Sequence, residues 1–151
     1  MGSPGTGDHD DGTVSWRTLL AEAETALRAA GVDQADQQAR WLVEEASGMD
    51  GAELVLGLDE PATKGPVAHL DRMLGRRCAG EPIQYVLGHW AFRHLDLAVD
   101  RRVLIPRPET EQVVDVALGE LDRLLADRPK GRRATVIDLG TGSGAIALAV
   151  A

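Results

Sequence analysis

The chain has 151 residues, of which 44% are hydrophobic, 26% are charged and only 3% are aromatic. This composition is ordinary for a globular protein, and the length suits one domain or a small domain with part of another. The formal net charge of −8 argues against a large non-specific nucleic-acid interface, because such an interface needs concentrated lysine and arginine. No run resembles the apolar core of a signal peptide or is long enough to cross a membrane, so we expect a cytoplasmic protein that does not associate with membranes.

The first 79 residues predict a short tail followed by helices. Residues 1–12 have no apolar periodicity and are expected to be a disordered tail. Apolar residues then recur every three or four positions, which is typical of helices packed on one face. The predicted helices cover about residues 13–31, 33–47 and 51–56, and a fourth has Pro66 in its first turn. We expect Thr13 or Ser15 to cap the first helix and Asp50 to cap the third, and we assign residues 13–79 to a small helical bundle.

The pattern changes at Gly80. A β-prone run covers residues 83–87, and apolar residues then alternate with others from residue 90 to 99, a period of two that indicates strands. We therefore predict two or three short strands within residues 83–105, forming a β-hairpin. Residues 80–105 are assigned to a linker between two domains.

Few side chains in this part of the chain suggest chemistry. The single cysteine, Cys78, cannot form an intramolecular disulfide and is predicted to be a small apolar residue on a helix. His89 and His94 lie in the predicted hairpin, but no cysteine or carboxylate cluster accompanies them. We therefore predict no metal site.

A second helical segment follows the predicted hairpin. Pro106 and Pro108 are expected to prevent regular structure and to stiffen the chain. Thr110 is predicted to cap a helix that covers residues 111–126, with an acidic first turn that suits the helix dipole. Its expected apolar face consists of Val113, Val114, Ala117, Leu121, Leu124 and Leu125. Residues 127–133 are interpreted as an exposed basic linker, with a phosphate or RNA contact as the alternative.

The most specific pattern lies in residues 134–151. Residues 135–137 are β-branched and predict a buried strand that ends at Asp138. Three glycines follow, namely Gly140, Gly142 and Gly144. Glycine allows a tight turn and a close approach to a ligand, and the free N–H groups at the start of the apolar helix predicted from residue 145 suit a nucleotide-like cofactor. The spacing G-x-G-x-G differs from the dinucleotide pattern G-x-G-x-x-G, and the alternative is an ordinary glycine-rich turn.

Three stretches occur together in a characteristic order. They are Gly-Glu-Pro-Ile-Gln-Tyr at residues 80–85 with Gly-His-Trp-Ala-Phe at 88–92, Ile-Pro-Arg-Pro-Glu-Thr-Glu at 105–111, and Asp-Leu-Gly-Thr-Gly-Ser-Gly at 138–144. In this order they resemble the HemK/PrmC family, the glutamine-N5 methyltransferases of peptide chain release factors. The resemblance covers about residues 14–151. Its most diagnostic part is the middle stretch, which is not a general feature of enzymes that use S-adenosyl-L-methionine (SAM).

The resemblance implies an α+β fold with three parts. An N-terminal helical bundle and a β-hairpin linker would precede a doubly wound α/β, Rossmann-like methyltransferase domain that begins at residue 106 and is incomplete at residue 151. The implied reaction is SAM-dependent methylation of the glutamine side-chain amide in the Gly-Gly-Gln motif of a release factor. The helical bundle would help to recognise that protein partner, and we expect a monomer.

The resemblance also implies which residues bind SAM. The implied cofactor-binding residues of the loop are Asp138, Gly140, Thr141, Gly142, Ser143 and Gly144. Arg107 and Thr110 match a segment that lies beside the cofactor pocket in the family. The family's Asn-Pro-Pro-Tyr motif, which binds the substrate, does not occur in the 151 residues, so we expect no catalytic residue here and no methyl transfer by this chain alone.

Two alternatives to a release factor methyltransferase stay open. One is a related enzyme that methylates an exocyclic amino group in nucleic acid. The other is a non-catalytic module that docks a partner through its helical bundle. Residues 105–111 and the acidic charge favour the release factor enzyme over the nucleic-acid enzyme.

Overall fold

Seven helices and one two-stranded antiparallel hairpin occupy the residues that the computed structural model describes, 14–126 and 134–151. This arrangement confirms the predicted α+β fold class. The chain divides into two compact units, the first ending at Ile83 and the second beginning at Gln84. The predicted tail and the predicted basic linker lie outside the described residues, and the domain boundaries proposed from the sequence stay predictions.

The helices of the first unit confirm the four that periodicity predicts. They are α1 (Trp16–Ala29), α2 (Ala35–Ser47), α3 (Gly51–Gly57) and α4 (Lys64–Cys78). Ser15 caps α1, since its hydroxyl accepts the Thr18 N–H at 3.3 Å. Asp50 is the N-cap residue of α3, as predicted, but its side chain accepts no capping hydrogen bond. The Glu44 carboxylate instead accepts the Gly51 N–H at 3.3 Å.

The core of the first unit is aliphatic. Helix α1 packs on α2 and α4, and α2 also packs on α4. Fully or almost fully buried side chains from these helices include Leu19, Leu27, Ala39, Leu42, Val43, Leu70 and Met73. Arg77 of α4 donates from Nε to Oε1 of Gln38 on α2, 2.7 Å away. Cys78, a free thiol, is half-buried at the end of α4, as predicted for a residue on a helix.

The segment after α3 returns to the start of α1, an arrangement that periodicity does not reveal. The carbonyls of Glu60 and Leu58 accept the N–H groups of Trp16 and Arg17, at 3.2 and 2.7 Å. Asp59 also accepts two hydrogen bonds from the Arg17 guanidinium, at 2.6 and 3.0 Å. The two backbone bonds satisfy donors that the first turn of an α-helix leaves without intrahelical acceptors.

One secondary-structure prediction near the boundary between the two units is wrong. Residues 83–87, predicted as a strand, form helix α5 (Ile83–Leu87). Ile83 and Val86 are both buried, which is the three-residue spacing of a helix face, and the Gly88 N–H closes the turn on the Gln84 carbonyl at 2.9 Å. The hairpin itself is confirmed: β1 (His89–Phe92) pairs with β2 (Leu95–Ala98).

Helix α6 (Pro108–Ala126) begins three residues earlier than predicted. Pro108 is the first helical residue, where its missing N–H costs nothing. Thr110 therefore lies inside the first turn and is not the cap, and its N–H donates to the Arg107 carbonyl at 2.9 Å. The predicted apolar face is also partly wrong, because Val114 is fully buried whereas Val113 is 54% exposed.

The core of the second unit joins the hairpin to α6 and to α7 (Ala145–Val150). Its buried members are Phe92, Leu97, Val99, Val114, Ala145 and Ala149. Within the described parts of the chain, no helix is long and apolar enough to cross a membrane.

The segment between the hairpin and α6 is held by local polar contacts. The Tyr85 hydroxyl donates to the Val103 carbonyl at 2.7 Å. The Arg102 guanidinium and the Arg102 N–H both donate to the Asp100 carboxylate, with Nε and N each 2.9 Å from Oδ1. These hydrogen bonds lower the pKa of Asp100 to about 2, and those from the Arg102 side chain have the largest effect.

Two leucines of α3 provide a matched test of the first core. Leu54 is 2% exposed and Leu56 is 85% exposed. We expect Leu54→Ala to lower the free energy of unfolding by roughly 2–5 kcal/mol, because it leaves a cavity. Leu56→Ala should change it by no more than about 0.5 kcal/mol. Urea unfolding followed by circular dichroism measures both, and equal losses in the two variants would contradict the packing described.

Asp100 provides a test of the polar segment. Because its pKa in the folded chain lies below the ordinary 3.8, its ion pair stabilises the fold above about pH 4, and this stabilisation is lost as the pH falls toward 2. In Arg102→Met the titration midpoint should rise toward 3.8, with a residual lowering from the N–H of residue 102. An NMR titration of the carboxyl carbon checks this, and an unchanged midpoint in the variant would refute it.

Candidate cofactor site

Residues 134–138 do not form the buried strand that their β-branched side chains predict. Residues 134–137 are exposed, Ile137 by 77%, and no strand is assigned there. The sheet in the described residues consists of β1 and β2 and does not extend to this segment. β-Propensity reflects packing against neighbouring strands, so the prediction is wrong because nothing within the described residues pairs with the segment.

The glycine loop has the backbone geometry that the sequence predicts. Gly140, Gly142 and Gly144 have φ angles of 79°, 55° and 80°, in the left-handed region that favours glycine. The loop is closed by the Gly144 N–H, which donates to the Thr141 carbonyl at 2.8 Å. The Thr141 hydroxyl donates to Oδ2 of Asp138 at 2.9 Å. Asp138 therefore braces the loop from its N-terminal side.

The loop has room for a ligand against its backbone. A Cβ placed on Gly140 would have no heavy atom within 4 Å, and one on Gly142 would be 3.9 Å from the Gly140 carbonyl oxygen. A ligand can therefore approach these two residues more closely than it could approach residues with side chains. The residues present are compatible with a cofactor such as SAM, which would rest on main-chain atoms here.

Helix α7 follows the loop directly, as predicted. The Leu148 N–H donates to the Gly144 carbonyl at 2.9 Å, so the N–H groups of the preceding turn have no acceptor within the helix. Ala145 and Ala149 are buried, but Leu148 is 55% exposed. The helix is therefore covered on one side only.

Arg107 and Thr110, the other predicted cofactor residues, lie at the beginning of α6. Arg107 is exposed and Thr110 is half-buried. Helix α6 packs on α7, and Val114 shares the core cluster with Ala145. The two predicted segments are thus carried by neighbouring helices of one unit.

The structure also shows an apolar groove that sequence reasoning did not anticipate. Its volume is about 560 Å³, and it is lined by Leu121, Leu125, Ala134, Val136, Asp138, Ala147, Val150 and Ala151. Ala134 and Val136, which belong to the segment predicted as a strand, line this groove. Their apolar character was the signal in the sequence that could have indicated it. The groove borders Asp138 and so adjoins the loop.

No metal chemistry is indicated in the described residues. Within 14–126 and 134–151, no three His, Cys, Asp or Glu side chains lie together in a way that suits a metal ion. His89 contacts Asp96 across the hairpin, with Nδ1 and Oδ1 2.9 Å apart.

Two glycines of the second unit provide opposite expectations for the same substitution. Gly144→Ala places a non-glycine residue at φ 80°, which costs roughly 1–2 kcal/mol. The amide of residue 144 should then exchange with solvent about tenfold faster. Gly119→Ala, at an open position inside α6, should instead raise stability by about 0.5–1 kcal/mol. NMR hydrogen exchange measures the effect of Gly144→Ala, and urea unfolding measures that of Gly119→Ala. Unchanged exchange at residue 144 would contradict the strained conformation.

The chain is similar to characterised protein families over most of its length. The family model described as the PrmC N-terminal domain matches residues 18–88. Three relatives are named release factor glutamine methyltransferase. The one from Agrobacterium fabrum is 38% identical over 140 residues, which are 93% of this chain and 47% of that protein.

The relative from Bifidobacterium longum is 40% identical over 136 residues, 87% of this chain and 44% of that protein. The one from Burkholderia pseudomallei is 40% identical over 131 residues, 87% of this chain and 43% of that protein. The chain spans a little under half the length of these relatives. Residues 18–88 thus match the PrmC N-terminal domain, and most of this chain is similar to proteins named release factor glutamine methyltransferase.

Proposed function

We propose that this chain provides the helical domain and the SAM-binding loop of a release factor glutamine methyltransferase. The observation that carries the proposal is the reach of the matches to relatives of that name, which extend over 140 residues and therefore beyond the helical domain. The glycine loop supports it independently, because three left-handed glycines and the open space beside them suit a ligand held by main-chain atoms.

The proposed cofactor residues divide the binding of SAM between two segments. Gly140, Gly142 and Gly144, with Thr141 and Ser143 between them, would hold it through the backbone. Asp138 would keep the loop in shape through Thr141. Arg107 and Thr110 would lie beside the cofactor at the first turn of α6.

Bound SAM would supply a methyl group activated by its sulfonium sulfur. With SAM held by Gly140, Gly142 and Gly144, this methyl group would be the one that the glutamine amide nitrogen receives in exchange for a proton. The amide nitrogen is a weak nucleophile, so the contribution of the protein is alignment of the two reactants in a dry site. We expect this chain to position the cofactor and its helical domain to recognise the release factor. We also expect the protein to be a monomer in the cytoplasm.

The exposure of residues 134–137 fits the same proposal. In a doubly wound, Rossmann-like domain this segment would be a strand with neighbours on the sheet. Without such neighbours its backbone groups are exposed to water and its apolar side chains add to the groove. We therefore propose that residues 1–151 alone transfer no methyl group.

A chimera tests the proposed function. The aligned segment of the Bifidobacterium longum relative is replaced by the corresponding residues of this chain, and transfer of labelled methyl from SAM to a release factor is measured. We expect methylation of the Gly-Gly-Gln glutamine by the chimera and only background with residues 1–151. Gly142→Ala should lower kcat/KM about tenfold or more, since a strained loop costs roughly 1–2 kcal/mol.

The matched control is Gly119→Ala, which lies outside the loop and should leave kcat/KM of the chimera unchanged. A release factor with alanine in place of the Gly-Gly-Gln glutamine should accept no label. Methyl transfer to nucleic acid instead would favour the alternative enzyme. A soluble, folded chimera that neither binds SAM nor methylates would refute the proposal, and activity of residues 1–151 alone would refute its last part.

A further inference from the structure

The turn of the hairpin contains a residue in an unfavourable backbone conformation. Arg93 follows Phe92 at the end of β1 and has a φ angle of 55°. A residue with a Cβ adopts this left-handed conformation at a cost, and two-residue hairpin turns ordinarily use asparagine or glycine there. The arginine side chain therefore has to contribute something that a glycine could not.

Its contacts lead to helix α6. The Arg93 N–H donates to Oε1 of Glu111 at 3.0 Å. In addition, Nη1 of the Arg93 side chain donates to Oδ1 of Asp115 and to the Glu111 carbonyl, the latter at 3.4 Å. The turn and the helix thus hold each other through main-chain and side-chain groups of both. We call Arg93, Glu111 and Asp115 the turn–helix clasp.

The clasp is placed to orient the start of α6. Glu111 and Asp115 are four residues apart and so lie on one face of the helix. Glu111 is the next residue after Thr110 and lies within the first turns of α6. The Arg93 side chain is only 23% exposed, whereas that of Asp115 is 65% exposed, so the ion pair lies at the edge of the buried region.

We propose that Arg93 is a positioning residue for the cofactor segment. Through Glu111 and Asp115 it holds the first turns of α6, and with them Arg107 and Thr110, in a set orientation relative to the hairpin. This inference rests on the proposed function for the role of those two residues in binding SAM. The clasp itself does not depend on that function.

The geometry also predicts which replacement is tolerated. Nε of Arg93 is buried, and no hydrogen-bond acceptor for it is found in the described part of the chain. The side-chain bonds of Arg93 to α6 use a single terminal nitrogen, Nη1. Lysine can supply one charged donor without the orphaned Nε–H, so Arg93→Lys should retain the clasp, whereas Arg93→Met should not.

Hydrogen exchange on the chain as it stands tests the clasp. The probes are the amide of residue 93, which donates to Glu111, and that of Thr110, which donates to Arg107. We expect Arg93→Met to accelerate exchange at both about tenfold and Arg93→Lys to change it less than about threefold. Arg123→Met removes an exposed arginine paired within α6 with Glu120 and should have no effect. Equal behaviour of Arg93→Met and Arg123→Met would overturn the clasp.

The chimera described above tests the positioning role. Arg93→Met should raise the KM for SAM about tenfold with little change in kcat, and Arg93→Lys should restore it. A variant that only loses folded protein would lower the apparent kcat at constant KM, and that result would overturn positioning. If the chimera itself proves inactive, the proposed function fails, while the exchange experiment still decides whether the clasp exists.

Discussion

Backbone hydrogen bonding at residues 134–138 is the constraint on which the candidate site depends. A strand is stable only when its N–H and C=O groups have a neighbouring strand, and this segment has none within the described residues. The loop that follows is therefore shaped by its own contacts, the brace from Asp138 to Thr141 and the bond from Gly144 to Thr141. Its fixed geometry comes from three left-handed glycines more than from any surrounding sheet.

The two units differ in how completely they bury apolar surface. The first has several side chains with no exposure, among them Leu27 and Leu42, and the starts of α1 and α3 donate to neighbouring carbonyls and to the Glu44 carboxylate. In the second, α6 is 19 residues long but contributes Val114 as its buried residue, and Leu124 is 65% exposed. The apolar side chains of the first unit are therefore mostly enclosed, whereas the second unit has an open apolar groove.

The polar contacts of the second unit explain how the hairpin and α6 keep a fixed relative position although the core between them is small. The turn–helix clasp connects the hairpin to α6 beside the apolar contact that Phe92 and Val114 provide through the core cluster. Asp100 and Arg102 form a local ion pair, and the hydrogen bonds from Arg102 lower the pKa of Asp100 to about 2. The first turns of α6 are thus held to the hairpin by both apolar and polar contacts.

Local patterns in the sequence were sufficient for the helices of the first unit, for the hairpin and for the three glycine conformations, because spacing and glycine content act over a few residues. They were insufficient for residues 83–87 and 134–138, where β-branched or apolar character suits either a helix or a strand and only neighbours decide. Tertiary structure alone paired Arg93 with Glu111, which are 18 positions apart, since the chain between them first has to form the hairpin and the start of α6. It also exposed Ile137, because burial of an apolar side chain requires an opposing surface that its own segment cannot provide.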